Sequence, residues 1–164
     1  MVNSRQKGHR AERHYRTIFI EVGFENCKSS REASKLHDDL GIDLCHLPFL
    51  VQIKSGYPKT NMITQLELYI ERVIAYRHLI PNEYTKPFVL IHHKNVKPGH
   101  RRKSENSIVF MRVEDYNEFC KLTSSFVTNS DNLDFRIISD KHVTMYFDTF
   151  LNFIKCLAIT NSTL

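Results

Sequence analysis

The apolar pattern predicts a mixed α/β fold, a central mixed β-sheet flanked by helices, in a single domain spanning residues 1–164. Three observations carry this. Stretches with apolar residues at helical spacing are interleaved with short runs of period two, the signature of helices packed on a sheet. A length of 164 residues suits one sizeable core, and no internal repeat, low-complexity tract or linker divides it. With 41% apolar and 25% charged residues the composition is that of an ordinary globular chain, and no apolar run approaches the roughly 18 residues of a membrane span.

The elements follow in order. Ala11, Tyr15, Ile18, Phe19 and Val22 recur at helical spacing, and Gly23 is a suitable stop. Glu12 falls on the inward ridge of that helix, three residues from Tyr15 and seven from Phe19. A buried glutamate needs a partner, either an arginine or a metal ion. KSSREASKLHDDL is polar and without period, so a loop holding one turn of helix is expected. Residues 41–56, GIDLCHLPFLVQIKSG, read as two short strands joined by a turn around Pro48. NMITQLELYIERVIAYRHL reads as a helix capped by Asn61 and covering one sheet face through Leu66, Ile70, Val73 and Ile74. Strands near 87–93 and 107–113 bracket a basic loop, and VEDYNEFCKL reads as a short helix. FRIIS and HVTMYF are two further strands, followed by a helix from Asp148 to about Ala158 whose apolar face is core or dimer surface.

The chemistry is concentrated in the 41–56 hairpin. In a strand with Val51 and Ile53 on one face, Gln52 and Lys54 leave from the other, and a hairpin sets Asp43 opposite Gln52. The Asp43 carboxylate and the Gln52 amide oxygen are ligands suited to a hard cation such as Mg2+, with Lys54 beside it to meet a phosphate.

Net charge points to nucleic acid once it is located. Residues 1–16 carry five Lys or Arg against one Glu, and residues 94–103 carry five against none, within a net charge of +5 for the whole chain. Such focused basic segments form the footprint of a surface that tracks a phosphate backbone. Arg5, Lys7, Arg10 and Arg13 on the first helix are the candidate phosphate contacts there, and Lys97, Arg101, Arg102 and Lys103 are those of the basic loop. Ser30, Arg31 and Ser34 add hydroxyl and guanidinium donors, and His93 at a strand end is a further candidate.

Other chemistries find little support. The four cysteines, Cys27, Cys45, Cys120 and Cys156, have no CxxC spacing, and the nine histidines show no HExxH or comparable pattern. No GxSxG or glycine-rich phosphate loop is present. Scattered thiols and an N-terminus without an apolar secretory core suit a reducing cytoplasm.

Asp43 followed by the strand ending Gln52, Ile53, Lys54 resembles the PD-(D/E)xK nuclease core. The opening segment, with Lys7, Gly8, Glu12 and Arg13 in a K-G-x-x-x-E-R arrangement and the Gly23–Phe24 turn after it, is similar to the first helix of archaeal-type Holliday junction resolvases and their small phage and bacterial relatives. The strand, basic loop and strand from Lys86 to Phe119 is similar to the segment those phage relatives carry next, so that the resemblance spans about residues 4–120. It implies a restriction-endonuclease-like core and a Mg2+- or Mn2+-dependent endonuclease. The metal would be held by Asp43, Gln52, the Ile53 carbonyl and Glu12, with Lys54 as the catalytic lysine. It also implies branched DNA as substrate and a homodimer, since a four-way junction has two-fold character. The chain departs from the pattern in two places: Ile42 stands where the family has proline, and Gln52 where it has a carboxylate. Two alternatives therefore stay open, a restriction-like or repair nuclease on duplex or flapped DNA, and a DNA-binding module of the same fold that does not cleave.

Overall fold

The computed structural model describes residues 4–56, 60–83, 85–93, 107–123 and 135–161. The chain is α/β. Helix α1 (Ser4–Glu21) leads into strand β1 (Lys28–Ser29), two short helices α2 (Ser30–Ala33) and α3 (Lys35–Leu40), then β2 (Leu44–Cys45) and β3 (Leu50–Ser55). Helix α4 (Met62–Ala75) crosses to β4 (Phe88–His93), and β5 (Ile108–Arg112), α5 (Val113–Thr123), β6 (Phe135–Ser139), β7 (His142–Tyr146) and α6 (Phe147–Asn161) complete the order. The seven strands form one mixed sheet in the order β1-β2-β3-β4-β5-β7-β6. Among the described residues only β3 and β4 pair in parallel, over six consecutive residue pairs from Leu50↔Phe88 to Ser55↔His93.

Strand alternation divides the apolar residues between two cores. Val51 and Ile53 of β3 and Val89 and Ile91 of β4 face α1, α5 and α6, packing with Tyr15, Phe19, Phe119, Phe150 and Ile154. Leu50, Phe88 and Leu90 face the opposite way and pack with Leu66, Ile70 and Val73 of α4 and Leu40 of α3. The two-residue period of a strand makes this division possible with a single run of sequence. Phe49 is a hub of the first core, its ring 5.6 Å from Phe19, 5.6 Å from Phe119 and 5.5 Å from Phe150.

Several local expectations hold. Asn61 caps α4 by accepting from the Ile63 N–H at 3.0 Å. The apolar face of α6 is core, with Phe150, Phe153, Ile154 and Leu157 buried. The stretch expected to be a loop with one helical turn instead holds β1, α2 and α3. Ser34 caps α3 at its start, accepting from the His37 N–H at 3.4 Å. Gly41 closes α3 in the left-handed conformation at φ 81°, where glycine alone is unstrained. Helices this short bury little and show no period, so caps rather than pattern announce them.

Candidate metal and nucleic-acid site

Asp43 is set by the meeting of β2 and β3. The two strands pair antiparallel at Leu44↔Val51, and Asp43 is the residue immediately before β2. The Asp43 N–H donates to the Val51 carbonyl at 2.8 Å, while the Asp43 carbonyl accepts from the Ser30 N–H at 3.0 Å. The carboxylate then reaches back to β3, its Oδ2 accepting the Ile53 N–H at 2.6 Å. Where the strands part, this side chain supplies the acceptor that the backbone no longer offers.

Burial pushes the Asp43 carboxyl up to about 7, against the lowering effect of the Ile53 N–H. The negative charge of Glu12 adds to the rise, and the cations Lys54 and Arg31 oppose it. Asp43 therefore feels the charges of Glu12, Lys54 and Arg31, although these come from α1, β3 and α2.

Glu12 is buried at 8% exposure and its Oε1 is 3.0 Å from Arg31 Nη2. Arg31 also lies 3.4 Å from Asp38 and contacts His9. Of the two partners a buried Glu12 can take, an arginine is the one in place. Lys54 Nζ sits 4.9 Å over the ring of Tyr69, and Arg72 lies 5.4 Å from the same centroid. Tyr69 itself stacks on Phe88 at 6.4 Å. Its polar use went unrecognised in the sequence because its helical position, next to Ile70, marks it equally as core edge.

Gln52 is buried at 4% exposure, and its Oε1 has no hydrogen-bond partner among the described residues. Its amide occupies a cradle formed by a missing side chain. A Cβ on Gly41 would stand 3.0 Å from Gln52 Nε2 and 2.9 Å from Tyr69 Cε1. An unpaired buried acceptor is costly, and a cation is one means of satisfying it. Glu12, Asp43 and the Gln52 amide offer only oxygen donors, which fits a hard divalent ion. Among the described residues no group of three or more His, Cys, Asp or Glu side chains is placed to hold a metal, so this set rests on two carboxyl groups and an amide. Ile53, expected to give its carbonyl to the ion, engages Asp43 through its N–H.

The basic candidates divide. Lys7, Arg10 and Arg13 lie exposed along one side of α1, away from the ridge of Ala11, Tyr15 and Phe19; Arg5 lies in the same helix. Arg31 is spent on Glu12 and Asp38. Ser30 is buried at 1% exposure, so its hydroxyl is not presented at the surface as the sequence suggested, whereas Ser34 is partly exposed and its oxygen accepts the cap bond of α3. His93 is likewise buried, with Nδ1 3.0 Å from Tyr15 Oη, which in turn donates to Ser107 Oγ at 2.6 Å. Lys97, Arg101, Arg102 and Lys103 lie outside the described residues. No described helix is long and apolar enough to cross a membrane.

No family model, curated protein or solved structure matches the chain.

Proposed function

We propose that the protein is a metal-dependent DNA endonuclease with a restriction-endonuclease-like core, acting on branched DNA of the Holliday-junction type as a homodimer. One observation carries the reading: Asp43, beside the Leu44↔Val51 strand pair, is bonded to Ile53 within the electrostatic reach of Glu12 and Lys54. With Gln52 next to Ile53, these are the positions the PD-(D/E)xK resemblance names, an amide standing where the family has a carboxylate. The exposed cations of α1 next to Glu12 add a phosphate-tracking surface. The preference for a junction rests on the resemblance of the α1 segment to the resolvases.

Glu12, Asp43, Gln52 and the Ile53 carbonyl would hold Mg2+ or Mn2+, which when bound polarises a phosphodiester and lowers the pKa of water. Lys54, its ammonium steadied over the Tyr69 ring, offsets the charge that grows on the phosphate oxygens during attack. Asp43 must be ionised to act as a ligand, and its carboxyl at about 7 makes that state available from neutral pH upward. Water attack at phosphorus with departure of the 3′ oxygen leaves a 5′-phosphate and a 3′-hydroxyl.

The Arg31–Glu12 ion pair favours a second reading. An arginine that permanently neutralises Glu12 would leave a DNA-binding module that does not cut. Cleavage of four-way, flapped and linear DNA with Mg2+ or Mn2+, by wild type and by Asp43→Ala and Lys54→Ala, tests both. Junction cutting abolished in either variant supports the resolvase. Cutting of linear duplex alone supports a restriction-like enzyme, and binding without cutting by the wild type supports the module.

A further inference from the structure

A second cluster of reactive groups lies on the sheet face that carries α4, away from Asp43. His142 of β7 is 9% exposed and is held at both ring nitrogens. Its Nε2 is 2.8 Å from Glu67 Oε1 of α4, and its Nδ1 is 2.9 Å from Oγ of Ser139, the last residue of β6. Glu67 is fixed in turn by Arg112 of β5, whose Nε donates to Oε1 at 3.0 Å and whose Nη2 contacts Oε2. The hydrogen bond from Arg112 lowers the Glu67 carboxyl to about 2. In the neutral ring the carboxylate at Nε2 calls for the proton on that nitrogen, and Nδ1 is then the acceptor for the Ser139 hydroxyl. The Lys141 N–H donates to the same oxygen at 3.3 Å, which directs the hydroxyl proton toward the ring.

Nucleophile, base and orienting carboxylate are thus joined by hydrogen bonds in one line, the arrangement that activates a serine. The ring is reversed relative to the serine-protease order, but the two ends of imidazole perform the same exchange. Ser139 is exposed, whereas its base is buried. Along the same hairpin a cleft of about 240 Å³ is lined by Ile108, Arg136, Thr144, Met145 and Tyr146. Arg136 pairs with Thr144 and Ser139 with His142, so the cleft begins about 10 Å along β6 from the hydroxyl at the usual rise of about 3.4 Å per residue. Among the described residues β6 pairs with β7 alone and is an edge of the sheet.

We propose that Ser139 is an activated nucleophile that accepts acyl groups from small carboxylic esters bearing an anionic arm, which Arg136 would hold. Ser139 Oγ adds to the ester carbonyl and its proton passes to His142 Nδ1; the carbon–oxygen bond to the alcohol breaks and the alcohol leaves with that proton. Water then attacks the seryl ester, His142 again carries the proton, and the acid and free Ser139 are released.

A fluorophosphonate probe, read by peptide mass spectrometry, tests the nucleophile. The adduct is expected on Ser139 in the native protein, at a rate at least about 10²-fold above the urea-denatured chain and above His142→Gln, the low end of what a positioned base supplies. Nitrophenyl succinate, whose second carboxylate is free, should be hydrolysed faster than nitrophenyl acetate, with that preference abolished in Arg136→Gln. Absence of the Ser139 adduct, equal rates in native and denatured protein, or an unchanged rate in a folded His142→Gln overturns the proposal. If His142→Gln fails to fold, the native-against-denatured comparison decides.

Discussion

Replacing Asp43 by asparagine should make the protein more stable above neutral pH and leave it unchanged in acid. Burial raises this carboxyl from 3.8 to about 7 in the folded chain. Between those values the folded state binds a proton that the unfolded state has released, so stability falls as pH rises through the window. Below about pH 4 both states are protonated and the residue contributes no pH-dependent term; above about pH 7 the full cost is present. At 1.36 kcal/mol per factor of ten in the proton equilibrium that cost is about 4 kcal/mol, and screening at a partly exposed side chain brings the expected effect to about 2–3 kcal/mol. Asparagine keeps an oxygen for the Ile53 N–H and never ionises. Urea unfolding of both proteins at pH 4.5 and pH 8.5 without divalent metal measures the difference. Mg2+ or Mn2+ at pH 8.5 should then raise the stability of the wild type and not of Asp43→Asn, since a ligand bound only by the native state stabilises it. Equal stability of the two proteins at pH 8.5 would refute the placement of Asp43 as a desolvated carboxylate facing Glu12.

Gln52→Glu should retain cleavage and lower the concentration of Mg2+ needed for half-maximal rate, whereas Gln52→Ala should raise it, because only the former keeps an oxygen in the buried cradle. A Gln52→Glu protein that cuts where the wild type does not would assign the native chain to the non-cleaving class. Neutralising Arg101, Arg102 and Lys103 together should reduce the slope of log affinity against log salt by about 2 to 3 on duplex DNA, since each phosphate neutralised by a side chain accounts for about 0.9 of that slope; an unchanged slope would remove the basic loop from the DNA path. Phe49→Ala should destabilise the fold by about 3–5 kcal/mol, as expected for a large aromatic removed from a packed core, and calorimetry or urea unfolding reads it directly.

Where apolar period is strong, pattern and structure agree. The ridge of α1, the Leu66–Val73 face of α4, the β3 alternation and the order of strands and helices after residue 86 are all visible in the chain. The antiparallel meeting of β2 and β3 was also legible, since a turn around Pro48 leaves few registers. What pattern could not convey is partner choice. Arg31 looked like a phosphate donor and is bound to Glu12, because sequence carries no sign of which anion lies across the fold. His93 ends a strand, which suggested exposure, yet α1 covers it with Tyr15. The Ser139–His142–Glu67 line joins residues 75 positions apart at its widest hydrogen bond, and no spacing rule reaches that far.

The division of β3 between two cores has a bearing on how such a site changes over time. Val51 and Ile53 serve one core and Leu50 the other, whereas Gln52, though buried, belongs to neither. Strand register is locked by its apolar neighbours, because a slip of one residue would turn Gln52 and Lys54 into the α1 core and expose the wrong set to α4. Position 52 can therefore exchange a carboxylate for an amide of the same length without disturbing packing. Chemistry and packing thus fall on alternate residues of the same strand, so a change of charge at position 52 leaves the apolar contacts of both cores in place.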